Sequence, residues 1–281
     1  MDIDHSYGFG SALLDFFLPR RCVVCDAVLA PSETHLCENC WNDLPHTYYW
    51  LLRNNPMSDR LNAFIQDWLE AKWSVSTGTE HDNSDDRDMA DVRNDGHEAN
   101  VSRTERYAYA AALFFYRAES DYSKITRCIK YQGRVEVGLH FGMLLGDRLA
   151  ESHLFSDVDA VVPVPLHWMR RWKRGYNQAE VIASGVSRRL GVPMRSDILR
   201  RCRRTRTQTK LSVDEKKANV AGAFAVHKQV HAEELPFRHI LIIDDVFTTG
   251  STLFACFEAL RTVFPPSVRI SVATLGFVGG P

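Results

Sequence analysis

The sequence of 281 residues lacks any apolar run long enough to cross a bilayer. Its longest apolar stretches, such as residues 110–115 and 240–243, fall far short of the ~20 residues that a spanning helix needs. Residues 1–20 lack the basic start and continuous apolar centre of a secretory signal. A hydrophobic fraction of 45% and a charged fraction of 25% exclude a fibrous or wholly disordered chain. We therefore expect a cytoplasmic globular protein of one large domain or two smaller ones.

The sequence also has almost no net charge, at −1, but this value hides two segments of opposite sign. Residues 80–98 contain eight acidic side chains and two arginines. Residues 170–217 contain fifteen lysines and arginines against four acidic side chains. A neutral chain with one strongly basic stretch is expected to bind anions locally, at that stretch.

Composition divides the chain into three regions. Residues 1–73 hold four clustered cysteines and an amphipathic helix for which Ser58 is the candidate N-cap. Residues 74–105 are polar and acidic, with almost no large apolar side chains, which predicts a disordered linker. Residues 106–281 return to a globular composition. The apolar side chains at helical spacing in the first region are Leu61, Phe64, Ile65, Trp68 and Leu69.

The third region alternates strand and helix patterns. Strands are predicted at residues 107–116, 159–165, 239–243 and 268–275. Helices are predicted at residues 123–131, 137–149, 179–190 and 251–264. Pro163 and Pro165 indicate that the second strand is short or lies at an edge. The alternation predicts an α/β fold, a doubly wound parallel sheet with helices on both faces.

Four of the seven cysteines form two C-x-x-C pairs, separated by eleven residues: Cys22, Cys25, Cys37 and Cys40. Two such knuckles can place four thiolates around one Zn²⁺, and four protein ligands make the site structural. A redox C-x-x-C pair is the alternative. His35 and His46 lie nearby in sequence, but four cysteines already suffice. Of the other cysteines, we expect Cys128 and Cys256 in the core and Cys202 at the surface.

Residues 240–252 join a buried strand to a helix through two carboxylates, a glycine and several hydroxyl side chains. Helix N-termini bind phosphate, and Gly250 lets the backbone approach an anion closely. Asp244 and Asp245 would repel phosphate, but they can accept hydrogen bonds from sugar hydroxyls and hold Mg²⁺. The segment predicts a ribose 5-phosphate site; in the alternative, the acids end the strand and Ser251 caps the helix. The hydroxyl donors are Thr248, Thr249, Ser251 and Thr252.

This segment resembles the loop of type I phosphoribosyltransferases that binds phosphoribosyl pyrophosphate (PRPP). The whole chain resembles the ComF/GntX family, which joins a zinc module to a phosphoribosyltransferase-like domain. The other matching segments are residues 22–41, 44–45, 129–131, 162–165, 174–179 and 206–211. The resemblance implies a type I phosphoribosyltransferase-like sheet behind a small four-cysteine zinc module. It also implies that PRPP binds with Mg²⁺ at residues 244–252.

The first basic stretch, residues 168–178, should lie at the same sheet edge as the candidate phosphate loop, because ligands of doubly wound sheets bind at the carboxyl ends of the strands. The resemblance implies that Arg174 and Gly175 contact pyrophosphate, and that Arg174 joins Asp244 and Asp245 as a catalytic candidate. The alternative is a solvated basic turn.

The second basic stretch, residues 200–217, has no helical or strand period, which is typical of a functional lid or a disordered loop. The resemblance implies a hood loop that closes over PRPP, with candidate contacts at Arg206, Gln208 and Lys210.

Aromatic side chains interleave with the first basic stretch at Trp168, Trp172 and Tyr176. Arginines beside aromatic rings suit a surface that binds single-stranded nucleic acid. Alternatively, Trp168 and Trp172 pack on each other. The candidate nucleic-acid contacts are Arg170, Arg171, Lys173, Arg200, Arg201, Arg203 and Arg204.

Two functions stay open at this point. The resemblance implies a protein that binds PRPP and single-stranded DNA in natural competence, with competence helicase machinery as a partner. The alternative is an active phosphoribosyltransferase with an unknown acceptor. A purine acceptor is not expected, because purine-salvage relatives carry a carboxylate where this chain has Thr248. The sequence also lacks the N-terminal cysteine nucleophile and the glutaminase-sized domain of amidophosphoribosyltransferases.

Overall fold

The computed structural model describes residues 19–77, 105–202 and 222–280. Most of the predicted linker and of the second basic stretch lies outside these ranges. The first range contains helix α1 (Glu38–Asn42), a 3₁₀ turn (Tyr49–Leu51) and helix α2 (Pro56–Thr77). No helix within the three ranges is both long and apolar enough to span a membrane.

The rest of the described chain alternates strands with helices. Its first half contains β1 (Ala110–Phe115), α3 (Ser123–Tyr131), α4 (Val135–Ala150), β2 (Ala160–Pro163), α5 (Trp168–Arg174) and α6 (Gln178–Leu190). Its second half contains β3 (Leu199–Arg201), β4 (Phe224–Val226), a 3₁₀ turn (Ala232–Glu234), β5 (His239–Phe247), α7 (Ser251–Leu260) and β6 (Arg269–Phe277).

Strands β1, β6, β5 and β2 form, in this order, a sheet in which every pair is parallel. Strands β3 and β4 form a separate antiparallel pair. The proline-containing β2 lies at the edge of the four-stranded sheet, which is where a residue without a backbone N–H is tolerated. The predicted parallel α/β sheet is confirmed.

Strand β5 shows why its sequence has no polar interruption between residues 240 and 243. Ile240 and Ile242 pack into one core together with α2 and α7. Leu241 and Ile243 pack into a second core together with α3, α4 and α6. Because side chains alternate along a strand and helices cover both faces, every position of this stretch is apolar.

The start of helix α2 differs from the prediction. The helix begins at Pro56, and the Asn55 Oδ1 atom accepts hydrogen bonds from the backbone N–H groups of Met57 (3.0 Å) and Ser58 (2.9 Å). Asn55 is therefore the N-cap, and the assignment to Ser58 was wrong. The Ser58 hydroxyl instead accepts a hydrogen bond from the Asn55 N–H at 2.9 Å, which completes a reciprocal cap. The helix also runs four residues past position 73, to Thr77.

Strand β5 continues beyond the predicted end at residue 243. Asp244 pairs with Thr274 of β6 and Val246 pairs with Gly276, so the strand reaches Phe247. The two carboxylates therefore project from a paired strand and not from a flexible turn. This backbone pairing fixes their position relative to the helix that follows.

The opposite, N-terminal edge of the sheet carries three polar side chains in contact, of which His239 and Ser271 are buried and Asp157 is partly exposed. The His239 ring contacts Asp157 Oδ1 through Nδ1 (2.6 Å) and Ser271 Oγ through Nε2 (2.8 Å). These residue types match a hydrolase triad, but Ser271 is fully buried and its hydroxyl accepts the Tyr109 N–H at 3.0 Å. The serine is thus inaccessible to a substrate, and the chain of contacts is structural.

We expect this histidine to make folding stability depend on pH. Burial lowers the pKa of His239 and outweighs the favourable charge of Asp157. Below about pH 6.5 the unfolded chain binds a proton that the folded chain does not, so stability falls as the pH drops from 7 to 5. The contribution of His239 is at most about 2 kcal/mol. Urea unfolding of the wild type and of His239→Asn at both pH values measures it; an equal pH dependence in the two proteins would contradict the assignment.

Candidate functional site

The four predicted metal ligands come together. The Sγ atoms of Cys22, Cys25, Cys37 and Cys40 all lie within 4.8 Å of one another, and those of Cys25 and Cys37 are 3.6 Å apart. Tetrahedral zinc with Zn–S bonds near 2.3 Å requires sulfur atoms about 3.8 Å apart, so the cluster fits one Zn²⁺. The convergence of both knuckles favours a structural metal site over a redox pair.

The two neighbouring histidines have other environments. The His35 ring packs edge-on against His140, with centroids 4.9 Å apart, and burial lowers the pKa of His35 to about 4. The His46 Nδ1 atom lies 3.3 Å from the Leu113 carbonyl oxygen. Neither ring belongs to the four-sulfur cluster. The remaining cysteines agree with the prediction, since Cys128 and Cys256 are buried and Cys202 is exposed.

A cavity of about 560 Å³ opens at the carboxyl end of β2 and β5. Strand β5 contributes the two aspartates, the turn after it contributes Thr248, and the first turn of α7 contributes Thr252. Helices α3 and α5 and strand β3 contribute cationic side chains. The charged and hydroxyl-bearing residues that line it are Lys130, Tyr131, Arg170, Arg174, Tyr176, Arg201, Asp244, Asp245, Thr248 and Thr252.

The two aspartates differ in their surroundings. The Asp245 side chain is only 8% exposed, and its Oδ2 atom lies 2.7 Å from the Lys130 Nζ atom. The Asp244 carboxylate accepts a hydrogen bond from the Asp245 N–H at 2.8 Å. Burial and the adjacent Asp245 charge raise the pKa of Asp244 to about 7. The pocket therefore holds one carboxylate paired with a lysine and one that changes protonation near neutral pH.

The predicted phosphate loop is a tight turn between β5 and α7. Gly250 has a φ of +87°, and a Cβ atom at this position would lie 2.6 Å from the Phe247 ring. Both the backbone conformation and the close approach therefore favour glycine. The Thr249 and Ser251 hydroxyls are 3.0 Å apart within the turn, while Thr248 and Thr252 line the cavity. The α7 N-terminus thus begins at the cavity wall, where its N–H groups can bind an anion.

Other parts of the cavity wall are cationic. The Arg174 Nη1 atom donates a hydrogen bond to Gln178 Oε1 (2.9 Å), and its guanidinium lies 5.3 Å from the centre of the Tyr131 ring. Arg201 approaches from β3, and burial together with the positive charge of Arg170 lowers its pKa. Such a set of arginines provides the charge that a pyrophosphate group needs.

The structure distributes the predicted nucleic-acid residues between the cavity and the outer surface. Arg170 and Arg201 line the cavity with Arg174. Arg171 instead pairs with Glu180 at 3.2 Å on an exposed face. Gly175 ends α5 with a φ of +82°. The Lys173 side chain and the predicted contacts Arg203, Arg204, Arg206, Gln208 and Lys210 lie outside the described part of the structure.

Helix α5 exposes two tryptophans beside these arginines. Trp168 is 70% exposed and Trp172 is 87% exposed. Exposure of this extent leaves neither ring covered by the other, so the alternative in which they pack together was wrong. The helix presents aromatic rings and guanidinium groups side by side.

Sequence reasoning missed two groups of pocket residues. Lys130 and Tyr131 end α3 and line the cavity. The sequence analysis predicts no role for them beyond the resemblance of residues 129–131 to the family. Asn177 caps α6, accepting the Ala179 N–H (3.2 Å) and donating to the Val164 carbonyl (3.0 Å), so that it joins α6 to the chain after β2. No local signal marked Lys130, because the same helix also contains the basic residues Lys124 and Arg127.

The parallel sheet, the tight turn between β5 and α7 and the paired acids define a phosphoribosyltransferase-like domain behind a four-cysteine module. Family comparisons agree, since residues 13–49 match the Double zinc ribbon domain and residues 177–275 match the Phosphoribosyl transferase domain.

Individual proteins are also similar to part of the chain. "Competence protein F" of Haemophilus influenzae is 36% identical over 119 residues, which are 42% of this chain and 51% of that protein. "DNA utilization protein YhgH" of Escherichia coli K12 is 40% identical over 134 residues, 47% of this chain and 57% of the relative. The protein of the same name from Salmonella typhi is 33% identical over 143 residues, which are 48% of this chain and 60% of that protein. The chain thus spans little more than half the length of these relatives, and the resemblance to the ComF/GntX family is confirmed.

Proposed function

We propose that the cavity binds PRPP together with Mg²⁺ and that the chain binds single-stranded DNA across helix α5, as a cytoplasmic protein of DNA uptake or utilisation. One observation carries the first part of this proposal. A single cavity combines a helix N-terminus, two acids of β5 and three arginines, which are complementary to the phosphate, diol and pyrophosphate of PRPP. Its volume of about 560 Å³ lies within the range of small-molecule sites.

Each part of PRPP has a chemical counterpart in the cavity. The 5-phosphate accepts hydrogen bonds from the α7 N-terminus and from the hydroxyls of Thr248 and Thr252. The ribose hydroxyls donate to Asp244 and Asp245. The pyrophosphate faces the cationic wall of Arg170, Arg174 and Arg201, whose charges balance its own. Magnesium, when bound, would neutralise charge on the pyrophosphate. In a transfer reaction it would also stabilise the pyrophosphate as the leaving group.

The DNA part of the proposal rests on helix α5. Its two exposed tryptophans can stack on bases, and the exposed Arg171 can contact phosphates, which is the combination found on single-strand binding surfaces. The names of the relatives, which refer to competence and DNA utilisation, agree with such a role. Residues 74–77 belong to α2, so the predicted linker starts later than expected, and residues 78–104 are proposed to connect α2 to the chain from Glu105 onward.

The second candidate is an active phosphoribosyltransferase. The pocket contains the groups that would stabilise an oxocarbenium-like ribose and a departing pyrophosphate. The carboxylate that helps to deprotonate the acceptor in purine-salvage enzymes is absent from this chain, because Thr248 stands at its position.

Calorimetric titration of the full chain with PRPP and Mg²⁺ tests the binding proposal, and release of pyrophosphate tests turnover. We expect PRPP to bind and the release assay, run with ammonia and a panel of bases, to stay at the background rate. Release above background with one acceptor would favour the transferase. The absence of PRPP binding would contradict both functions.

We expect Trp168→Ala with Trp172→Ala to weaken binding of a single-stranded oligonucleotide by about 30-fold or more, because each stacked base contributes about 1–3 kcal/mol. PRPP affinity should be unchanged, since neither tryptophan lines the cavity. Fluorescence anisotropy with a labelled oligothymidylate at fixed salt measures the effect.

The matched control is Trp168→Phe with Trp172→Phe, which keeps both aromatic faces and should recover most of the affinity. Equal DNA affinity of the alanine variant and the wild type would contradict stacking on helix α5.

A further inference from the structure

Helix α3 connects the four-cysteine cluster to the candidate PRPP pocket. It has nine residues, Ser123–Tyr131, and therefore spans about 13 Å. Side chains at its start contact the cysteine knuckles. Residues at its end form part of the pocket wall.

At the cluster end, each knuckle is held by one side chain of the α3 start. The Tyr122 hydroxyl donates a hydrogen bond to the Cys40 carbonyl at 3.2 Å. The Lys124 Nζ atom donates to the carbonyl of Val24, within the other knuckle, at 2.8 Å. Lys124 also pairs with Asp121 at 2.8 Å, which orients its ammonium group.

The middle of α3 packs as a rigid element. Ile125, Cys128 and Ile129 are buried in the core that also contains Cys22 and Leu36 of the cysteine module. Because this interior is close-packed, a displacement at one end of so short a helix is transmitted to the other end.

At the pocket end, three successive residues hold different parts of the site. Lys130 pairs with Asp245 of β5 at 2.7 Å, and the Tyr131 ring lies under the Arg174 guanidinium of α5. The Ile129 carbonyl accepts a hydrogen bond from the Tyr176 hydroxyl, in the segment between α5 and α6. The position of the α3 end therefore fixes the positions of three residues that line the cavity, Asp245, Arg174 and Tyr176.

We propose that Tyr122 and Lys124 are positioning residues, through which the four-cysteine module holds α3 so that Lys130 stays against Asp245. The cysteine module is then a structural part of the pocket and not a separate attachment. The consequence for PRPP affinity rests on the proposed function, whereas the position of Lys130 does not.

The test uses the zinc-loaded full chain with Tyr122→Phe and Lys124→Met, which keep the ring and the aliphatic stem but remove both hydrogen bonds to the knuckles. The first readout is the rate at which an acetylating reagent modifies Lys130, which peptide mass spectrometry measures. Loss of two hydrogen bonds of about 1 kcal/mol each should speed modification about 30-fold. The exposed Lys228 serves as the internal reference, and Arg148→Gln, which removes the Arg148–Glu151 pair on α4, is the matched control.

The second readout is PRPP affinity in a double-mutant cycle with Lys130→Met. If Tyr122 and Lys124 act through Lys130, their replacement lowers PRPP affinity only while Lys130 is present. A purely structural role would produce the same loss in both backgrounds, and that result would overturn the proposal.

The outcomes separate this proposal from the proposed function. Unchanged Lys130 modification in the double variant, with zinc retained, overturns the positioning role. Faster Lys130 modification in a protein that binds no PRPP supports the positioning role and contradicts the proposed function. If the double variant loses zinc or fails to fold, the single variants decide, each with an expected increase of about fivefold.

Discussion

Replacement of Asp244 and Asp245 together by asparagine is expected to lower PRPP affinity by at least about 100-fold, because each charged hydrogen-bond acceptor contributes about 1.5–3 kcal/mol. Binding of single-stranded DNA should stay intact or become slightly stronger. The carboxylates lie inside the cavity, whereas the proposed DNA surface is the outer face of α5. Removal of negative charge near that surface favours the approach of a polyanion. Calorimetry with PRPP and anisotropy with an oligonucleotide measure the two affinities.

The single variant Asp244→Asn is the control for folding. It leaves the ion pair between Asp245 and Lys130 in place, so that the partly buried lysine keeps its partner. It should still weaken PRPP binding by about 10-fold or more. Loss of both PRPP and DNA binding in a folded double variant would mean that the two ligands share one site, contrary to the separation proposed for them.

Replacement of Cys37 by serine is expected to release zinc and to unfold residues ~20–45, because structural zinc supplies about 10–16 kcal/mol to modules of this size. The damage should extend beyond the module. Leu29, Leu36 and Leu44 share a core with Phe114 of β1 and Phe141 of α4, so unfolding exposes one face of the α/β domain. Elemental analysis measures the zinc, and amide hydrogen exchange measures protection of residues 20–45.

Cys202→Ser is the matched control for this variant. Cys202 is exposed and lies outside the sulfur cluster, so its replacement should leave zinc content and protection unchanged. A Cys37→Ser protein that keeps one zinc per chain and full protection would contradict the four-cysteine metal site.

The fold was predictable where local pattern and tertiary environment agree. The apolar side chains of α3 recur at helical spacing, and the observed helix has the predicted bounds. In β5 the uninterrupted apolar run predicted burial on both faces, but pairing with β6 extended the strand through the two acids. At α2, Asn55 and Ser58 are equally good capping residues by side chain; Pro56 fits the first helical position and identifies Asn55 as the cap.

The site was predictable in part. Asp244, Asp245, Thr248 and Thr252 were found because one continuous segment carries them between a strand and a helix. Arg201 was assigned to DNA because its position in the cavity depends on how β3 pairs with β4, which no local pattern reveals. Lys130 was missed for a similar reason, since its partner Asp245 lies more than a hundred residues further along the chain.

The most direct test of the account is a crystal structure of the full chain with PRPP and Mg²⁺. We expect the 5-phosphate at residues 248–252 and the ribose hydroxyls within hydrogen-bonding distance of Asp244 and Asp245. The pyrophosphate should face Arg170, Arg174 and Arg201. A complex in which PRPP binds elsewhere on the chain, or in which its ribose makes no contact with either aspartate, would contradict the account.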